Sequence, residues 1–165
     1  MSNEEKLNRC RELIQVLCLK ILDESGAFAS LAFTGGTALR IIFGVKRFSE
    51  DLDFSLVKKD LKPFSEINEK LVQGIKLAGL DVKYNAKTKN TVHNTMLKFP
   101  GVLKKLGLSP SESQNLSVKI EIDTNPPKGG IVQSRFIQQE YVFNVTHFDL
   151  PSMFSTKLHA CFYRD

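Results

Sequence analysis

The sequence predicts an α/β or α+β domain, in which helices pack on a β-sheet, and three observations lead to that prediction. In some segments apolar residues recur every three or four positions, as on a helix. In others they alternate with polar residues, as on a half-buried strand. The two kinds of segment interleave along 165 residues, an ordinary length for one domain. We therefore expect a single domain over residues 1–165.

The individual elements follow from this periodicity and from the residues that interrupt it. Residues 116–123 alternate most cleanly, with apolar side chains on one face and polar ones on the other. In chain order we predict helix 3–24, strand 30–34, a tight turn at Gly35-Gly36, helix 37–44, strand 51–57, helix 63–78, strands 81–86 and 92–99, a loop over 100–114 that could include one helical turn, strand 116–123, strand 141–145 and a helix from Asp149 onward. That last pattern reaches Asp165 without a Gly or Pro cap, so we expect a C-terminal helix that is cut short.

Composition argues against several classes of protein. No apolar stretch approaches the roughly 18 residues of a membrane span, and the acidic, polar N-terminus does not resemble a signal peptide. Three cysteines without a CxxC pair favour a reduced, cytoplasmic protein over a disulfide scaffold. The net charge of +5 suits an anionic partner such as a nucleotide or nucleic acid, although solubility alone would explain it equally well.

Two aspartates carry the first chemical signal. Asp51 and Asp53 are separated by one residue, and on a strand residues i and i+2 point to the same face. Adjacent carboxylates repel each other unless a cation or a shared proton neutralises them. Hard oxygen ligands in this number suit Mg²⁺. A solvated strand face with two unrelated aspartates would give the same pattern.

A glycine turn lies just upstream of these aspartates. Gly35 and Gly36 separate an apolar strand from a helix, and glycines at a helix N-terminus let main-chain N–H groups approach an anion. We expect the Thr37 hydroxyl to donate to a phosphate oxygen. Arg47 and Ser49 are candidates to hold the aspartate strand or to contact a phosphate, and the simplest alternative for Arg47 is a surface ion pair with Glu50 or Asp51.

Further charged candidates lie later in the chain. Glu121 and Asp123 project from the polar face of strand 116–123, and if that strand neighbours 51–57, one of them completes a cluster of three carboxylates. We favour Glu121, because Asp123 lies beside an Asn-Pro turn, where aspartate commonly caps the main chain. Lys157 is either a cation that binds phosphate or a solvated lysine of the last helix.

Together these segments resemble a known family. The GGTAL segment, the R-x-S-x-D-L-D-F segment that begins at Arg47, and the later acidic strand resemble the AbiEii/AbiGii-type toxin branch of the nucleotidyltransferase superfamily over roughly residues 30–165. The resemblance implies an α+β fold with a mixed sheet, similar to that of polymerase β. It also implies an NTP and Mg²⁺ (or Mn²⁺) as reactants, and a separately encoded cognate antitoxin as partner.

The same resemblance implies roles for individual residues. Asp51, Asp53 and Glu121 would act as catalytic metal ligands, with Asp123 as the second choice for the third carboxylate. Nucleotide binding would fall to the glycine turn, the Arg-x-Ser segment and the late lysine; these residues are Gly35, Gly36, Thr37, Arg47, Ser49 and Lys157. The expected reaction moves a nucleoside monophosphate from NTP to an RNA (tRNA) or protein acceptor. Two alternatives stay open: a metal-dependent glycosyltransferase that uses the DxD pair, and a non-catalytic nucleic-acid-binding module of this fold.

Overall fold

The computed structural model describes residues 1–59, 62–111 and 113–163. The helices are α1 (Asn3–Glu24), α2 (Gly35–Phe43), α3 (Phe64–Leu77), α4 (Val102–Lys105) and α5 (Leu150–Tyr163), with a 3₁₀ turn at Ala27–Ala29. The strands are β1 (Leu31–Thr34), β2 (Asp51–Leu56), β3 (Lys83–Lys89), β4 (Val92–Phe99), β5 (Leu116–Asp123), β6 (Val132–Gln138) and β7 (Val142–Phe148). Within these residues no helix is both long and apolar enough to cross a bilayer.

The strands form one mixed sheet, so the predicted α+β class is confirmed. Their order is β3-β4-β5-β2-β1-β7-β6. The two strands that carry the acidic residues, β2 and β5, are parallel neighbours near the centre of the sheet. β1 lies antiparallel to β2 and parallel to β7, and the remaining neighbours pair as antiparallel hairpins or ladders. Long crossovers therefore bring β2 and β5 together from distant parts of the chain.

The two faces of the sheet differ in chemistry. One face carries the apolar side chains of the alternating strands, among them Phe54 and Ile120, which join the core against α1 and α3. A buried hydrogen bond from Thr95 Oγ1 to Asn68 Oδ1 (2.9 Å) ties α3 to this face. The opposite face, which we call the polar face, carries the acidic residues of β2 and β5. Strand alternation thus separates the core from the candidate chemistry.

Three elements have boundaries that differ from the sequence prediction by two or more residues. α2 begins at Gly35, so the two glycines form the first turn of the helix and not a separate turn before it. β3 spans Lys83–Lys89 instead of 81–86, because it pairs with β4 through a two-residue turn in which Asn90 takes a positive φ of 54°. β7 runs to Phe148, three residues further than predicted.

One strand was not predicted at all. β6 (Val132–Gln138) is an edge strand whose residues are exposed except for Ile137. An exposed edge strand needs no alternation of buried and exposed positions, so its sequence lacks the period-two signal. Its place in the sheet comes from main-chain pairing with β7.

Candidate active site

The N-terminus of α2 lies directly against the second aspartate. Gly35 has a φ of +79°, and a Cβ atom there would lie 2.1 Å from Asp53 Oδ2 and 2.9 Å from Asp53 Cβ. At Gly36 a Cβ atom would lie 2.8 Å from Ser49 Oγ. Any side chain at either position would force Asp53 or Ser49 to move. The glycines therefore allow the first turn of α2, with its free N–H groups and positive potential, to contact both residues.

Thr37 has a different role from the one that the sequence predicted. Its side chain is buried, and its Oγ1 donates a hydrogen bond of 2.5 Å to the main-chain carbonyl of Asp51. The expectation that this hydroxyl binds a phosphate oxygen is corrected accordingly, because the hydroxyl is enclosed and already engaged. Thr37 instead fixes the start of β2 against α2, which sets the position of the first aspartate.

The parallel pairing of β2 and β5 brings the acidic residues together. Asp53 lies beside Glu121 in the register, Asp51 beside Lys119, and Ser55 beside Asp123. All of these side chains belong to the polar face. A third carboxylate from strand 116–123 can join the two aspartates only if that strand lies beside β2, and the pairing of Asp53 with Glu121 meets this condition.

This proximity changes the proton affinity of both aspartates. The pKa of Asp53 is raised to about 6, chiefly by burial and then by the negative charges of Glu121 and Asp51, while the positive charges of Lys119 and Lys157 lower it. Burial also raises the pKa of Asp51. The aspartates are therefore held in an environment that disfavours their ionised forms and would favour a bound cation.

Lys119 is the residue whose role sequence analysis missed. Its Nζ forms an ion pair with Glu121 Oε2 on the same strand, and the hydrogen bond to Glu121 is the main cause of the raised pKa of Lys119. Its position beside Asp51 makes it an internal counter-ion of the carboxylates.

Asp123 takes part in the turn that follows β5. Its Oδ1 accepts a hydrogen bond of 2.9 Å from the main-chain N–H of Asn125. One of its oxygens is thus engaged two residues downstream, and its neighbour across the register is Ser55. This geometry leaves Glu121 as the carboxylate adjacent to Asp53.

Helix α1 holds the loop that carries Arg47 and Ser49. Gln15 Nε2 donates a hydrogen bond of 3.0 Å to the carbonyl of Ser49, and Arg11 forms an ion pair of 3.0 Å with Glu50. Glu50 therefore pairs with α1, and the alternative expectation of an Arg47–Glu50 pair is wrong. Arg47 is exposed and makes no ion pair with any residue that the structure describes.

A second contact supports the same loop. Arg40 of α2 binds Glu12 of α1 through two hydrogen bonds of 2.7 and 3.2 Å, and its guanidinium stacks 3.6 Å from the centre of the Phe48 ring. Arg40 also donates to the carbonyl of Lys46 at 2.8 Å. Planar, bidentate pairing of this kind fixes geometry as well as charge. Gln15, Arg11 and Arg40 thus all hold the loop that places Ser49 against α2.

Residues 17–165 match the family described as nucleotidyl transferase AbiEii toxin, type IV TA system. The chain belongs to this family. A comparison with curated proteins gives no match.

Two crystal structures share the fold of this AbiEii family member. A proposed nucleotidyltransferase from H. pylori aligns with a TM-score of 0.66 and 22% identity, over 98% of this chain and 61% of that one. JHP933 from Helicobacter pylori aligns with a TM-score of 0.61 and 21% identity, over 94% and 58%. The chain spans about three fifths of the length of these structures. The predicted family and fold are therefore confirmed.

The donor chemistry of the AbiEii site fits a hard divalent cation. Asp51, Asp53 and Glu121 offer carboxylate oxygens on one face, and the raised pKa of Asp53 reflects burial and then repulsion by Glu121 and Asp51, both of which a bound cation would offset. Asn94 Oδ1, beside Glu121 in the β4–β5 register, is buried and has no hydrogen-bond partner among the described residues. As they stand, no three acidic, imidazole or thiol groups of the described residues converge closely enough to hold a metal. Glu121 is turned to Lys119 in this arrangement.

A cavity lies at the end of β2, where Ser55 follows Asp53 on the polar face. Its volume is about 310 Å³, and it lies between Ser55, Phe148, the loop 126–130 and the first turns of α5. At Gly130 a Cβ atom would lie 2.7 Å from the Phe148 ring, so glycine is required for the loop to close over this ring. Lys157 is exposed one residue beyond the cavity wall at Thr156, within electrostatic range of Asp53.

Proposed function

We propose that this chain transfers a nucleoside monophosphate from an NTP to the hydroxyl group of an acceptor and releases pyrophosphate, as the toxin of a toxin–antitoxin pair. The observation that carries the proposal is the junction of Gly35, Asp53 and Glu121. It combines a helix N-terminus that suits an anion with two adjacent carboxylates that suit a cation. An Mg-NTP complex carries both charges in one molecule.

In this reaction the chain's own residues bind and orient the two reactants. The first-turn N–H groups of α2 and the Ser49 hydroxyl bind oxygens of the triphosphate, and Arg47 adds a positive charge from the adjacent loop. Lys157 offsets the negative charge that develops on the departing pyrophosphate. The acceptor oxygen forms a bond to the α-phosphorus as the bond to pyrophosphate breaks, and Glu121 takes the proton of the acceptor hydroxyl.

Asp51, Asp53 and Glu121 would hold Mg²⁺ or Mn²⁺, with Asp123 as the alternative third ligand. The metal would neutralise charge on the reacting phosphates. The family context implies a cognate antitoxin as partner.

A labelling experiment tests this function. Each α-³²P-labelled NTP is incubated with the protein, Mg²⁺ and a cell extract. The label is then measured in the RNA fraction, in the protein fraction and in the remaining free nucleotide. We expect transfer by the wild type and loss of transfer in Asp51→Asn, while Asp81→Asn, at an exposed position before β3, retains it. Transfer from nucleotide-sugars but not from NTPs would instead identify a glycosyltransferase. Transfer that survives in Asp51→Asn would refute the role of the carboxylates.

A further inference from the structure

The polar face does not end at the carboxylates but continues across two more strands. The register places Asn94 of β4 beside Glu121, and Lys87 of β3 beside Asn94. One row of side chains therefore runs Asp53, Glu121, Asn94, Lys87 across four strands. With neighbouring strands about 4.8 Å apart, Lys87 lies about 14 Å from Asp53 on the same face.

The outer part of this face is basic. Lys83, Lys87 and Lys89 alternate along β3 with residues of the opposite face, and Lys98 of β4 lies directly beside Lys83. We call these four residues the lysine face. All four are exposed, and none forms an ion pair with any residue in the described part of the chain.

The arrangement of these lysines is unfavourable for the isolated protein. Like charges directly opposite each other on neighbouring strands destabilise a sheet. Lys83 and Lys98 form such a pair, and no carboxylate of the same rows compensates them, since Ser117 is the next residue inward. A polyanion laid across the strands would remove this repulsion.

The geometry points to the lysine face as the docking surface for a nucleic-acid acceptor, whose reactive hydroxyl reaches the carboxylates while the neighbouring phosphates of its strand lie on β4 and β3. This inference rests on the proposed transfer reaction and specifies the acceptor class. The distance from Asp53 to Lys87 corresponds to about four nucleotides at an axial rise of about 3.4 Å. Contacts to phosphates position a chain and carry no sequence information, so this surface would orient the acceptor without selecting its bases.

Direct binding measurements test the inference without any chemistry. The probe is a 5′-fluorescein-labelled single-stranded RNA of 20 nucleotides, titrated with the protein at several salt concentrations and without NTP. The test variant is Lys87→Gln with Lys98→Gln. Its matched control is Lys6→Gln with Lys76→Gln, which removes two exposed lysines from α1 and α3.

We expect the test variant to bind the RNA about tenfold more weakly than the wild type, and the slope of log affinity against log salt to fall by about 1.4. The control pair should stay within about twofold of the wild type. In the labelling assay, the same test variant should raise the KM for RNA acceptor. Equal weakening in both pairs, or an unchanged salt slope in the test pair, would overturn the inference and leave these lysines as a solubilising edge.

The outcome is separable from that of the proposed function. A thermal shift of the wild type with Mg²⁺ and each NTP reports on nucleotide binding alone. An RNA affinity that depends on the lysine face supports the docking surface whether or not a shift occurs. Label that enters only protein, together with RNA binding that is insensitive to Lys87 and Lys98, would assign the acceptor to protein and overturn the inference.

Discussion

Replacing Asp53 by asparagine should stabilise the protein without ligand, and the gain should depend on pH. The folded-state pKa of this carboxyl is raised from 3.8 to about 6, chiefly by burial. The folded protein therefore binds its proton more tightly than the unfolded chain does. At about 1.4 kcal/mol per tenfold change in proton affinity, the ionised carboxylate costs up to about 3 kcal/mol of stability above pH 6.

The pH window follows from the sign of this shift. Below about pH 3 the carboxyl is protonated in both states, so Asp53→Asn should differ little from the wild type. As the pH rises from 4 through 6, the wild type loses stability, because folded Asp53 binds its proton more tightly than the unfolded chain does and is forced to release it. The variant has no such proton and keeps its stability. Above pH 6 the variant should melt about 6–12 °C higher, using 2–4 °C per kcal/mol for a chain of this size.

Thermal unfolding from pH 4 to pH 8 measures this difference directly. Asp81→Asn is the matched control, because it removes an aspartate from an exposed position and should give a small difference at every pH. Adding Mg²⁺ with an NTP should reverse the order above pH 6, since only the wild type gains from ligand binding. A melting difference that does not change with pH, or a variant that is less stable at pH 8, would refute the argument from burial and repulsion.

Three further substitutions test other parts of the site. Gly35→Ala should lower the melting temperature more than Gly79→Ala does, because both glycines have positive φ but only Gly35 faces another side chain within 4 Å; equal losses would contradict this. Lys119→Met should destabilise the ligand-free protein at pH 8 and enlarge its stabilisation by Mg²⁺ alone, because Glu121 loses its counter-ion; an unchanged Mg²⁺ titration would argue against that. Lys157→Ala should raise the KM for NTP with less than about 0.5 kcal/mol change in stability, since the side chain is exposed. An unchanged KM would show that Lys157 is a solvated lysine without a role in NTP binding.

Local sequence patterns were sufficient to predict the two acidic strands but not that these strands pair with each other. The alternation in residues 116–123 predicts β5 with its observed bounds, and the same rule places Asp51 and Asp53 on one face of β2. Which strands are neighbours depends on long-range packing, and the residues of β2 and β5 are far apart in sequence. The sequence could therefore only assume that Asp53 and Glu121 are neighbours. The strand order of the sheet shows that they are.

Side-chain roles were harder to predict than positions. Thr37 was placed correctly at the helix start, but a pattern of residue types cannot tell whether a hydroxyl faces a ligand or the carbonyl of Asp51. The supports of the Arg47 loop come from α1, and their contact partners lie more than twenty residues away. Arg11, Glu12 and Gln15 also precede residue 17, where the family match begins. The preorganisation of this loop thus depends on residues that a family motif does not contain.

The unsatisfied electrostatics of the polar face point to its ligands. Asp53 is held where ionisation is costly, the first turn of α2 has no side-chain cap from Thr34, and Lys83 faces Lys98 across the strands. Each arrangement is unfavourable alone, and each is relieved by an opposite charge: a cation, a phosphate and a polyanion, respectively. All three charges enter a transfer reaction from Mg-NTP to a nucleic acid. The features that lower the stability of the ligand-free fold are, on this argument, those that select its reactants.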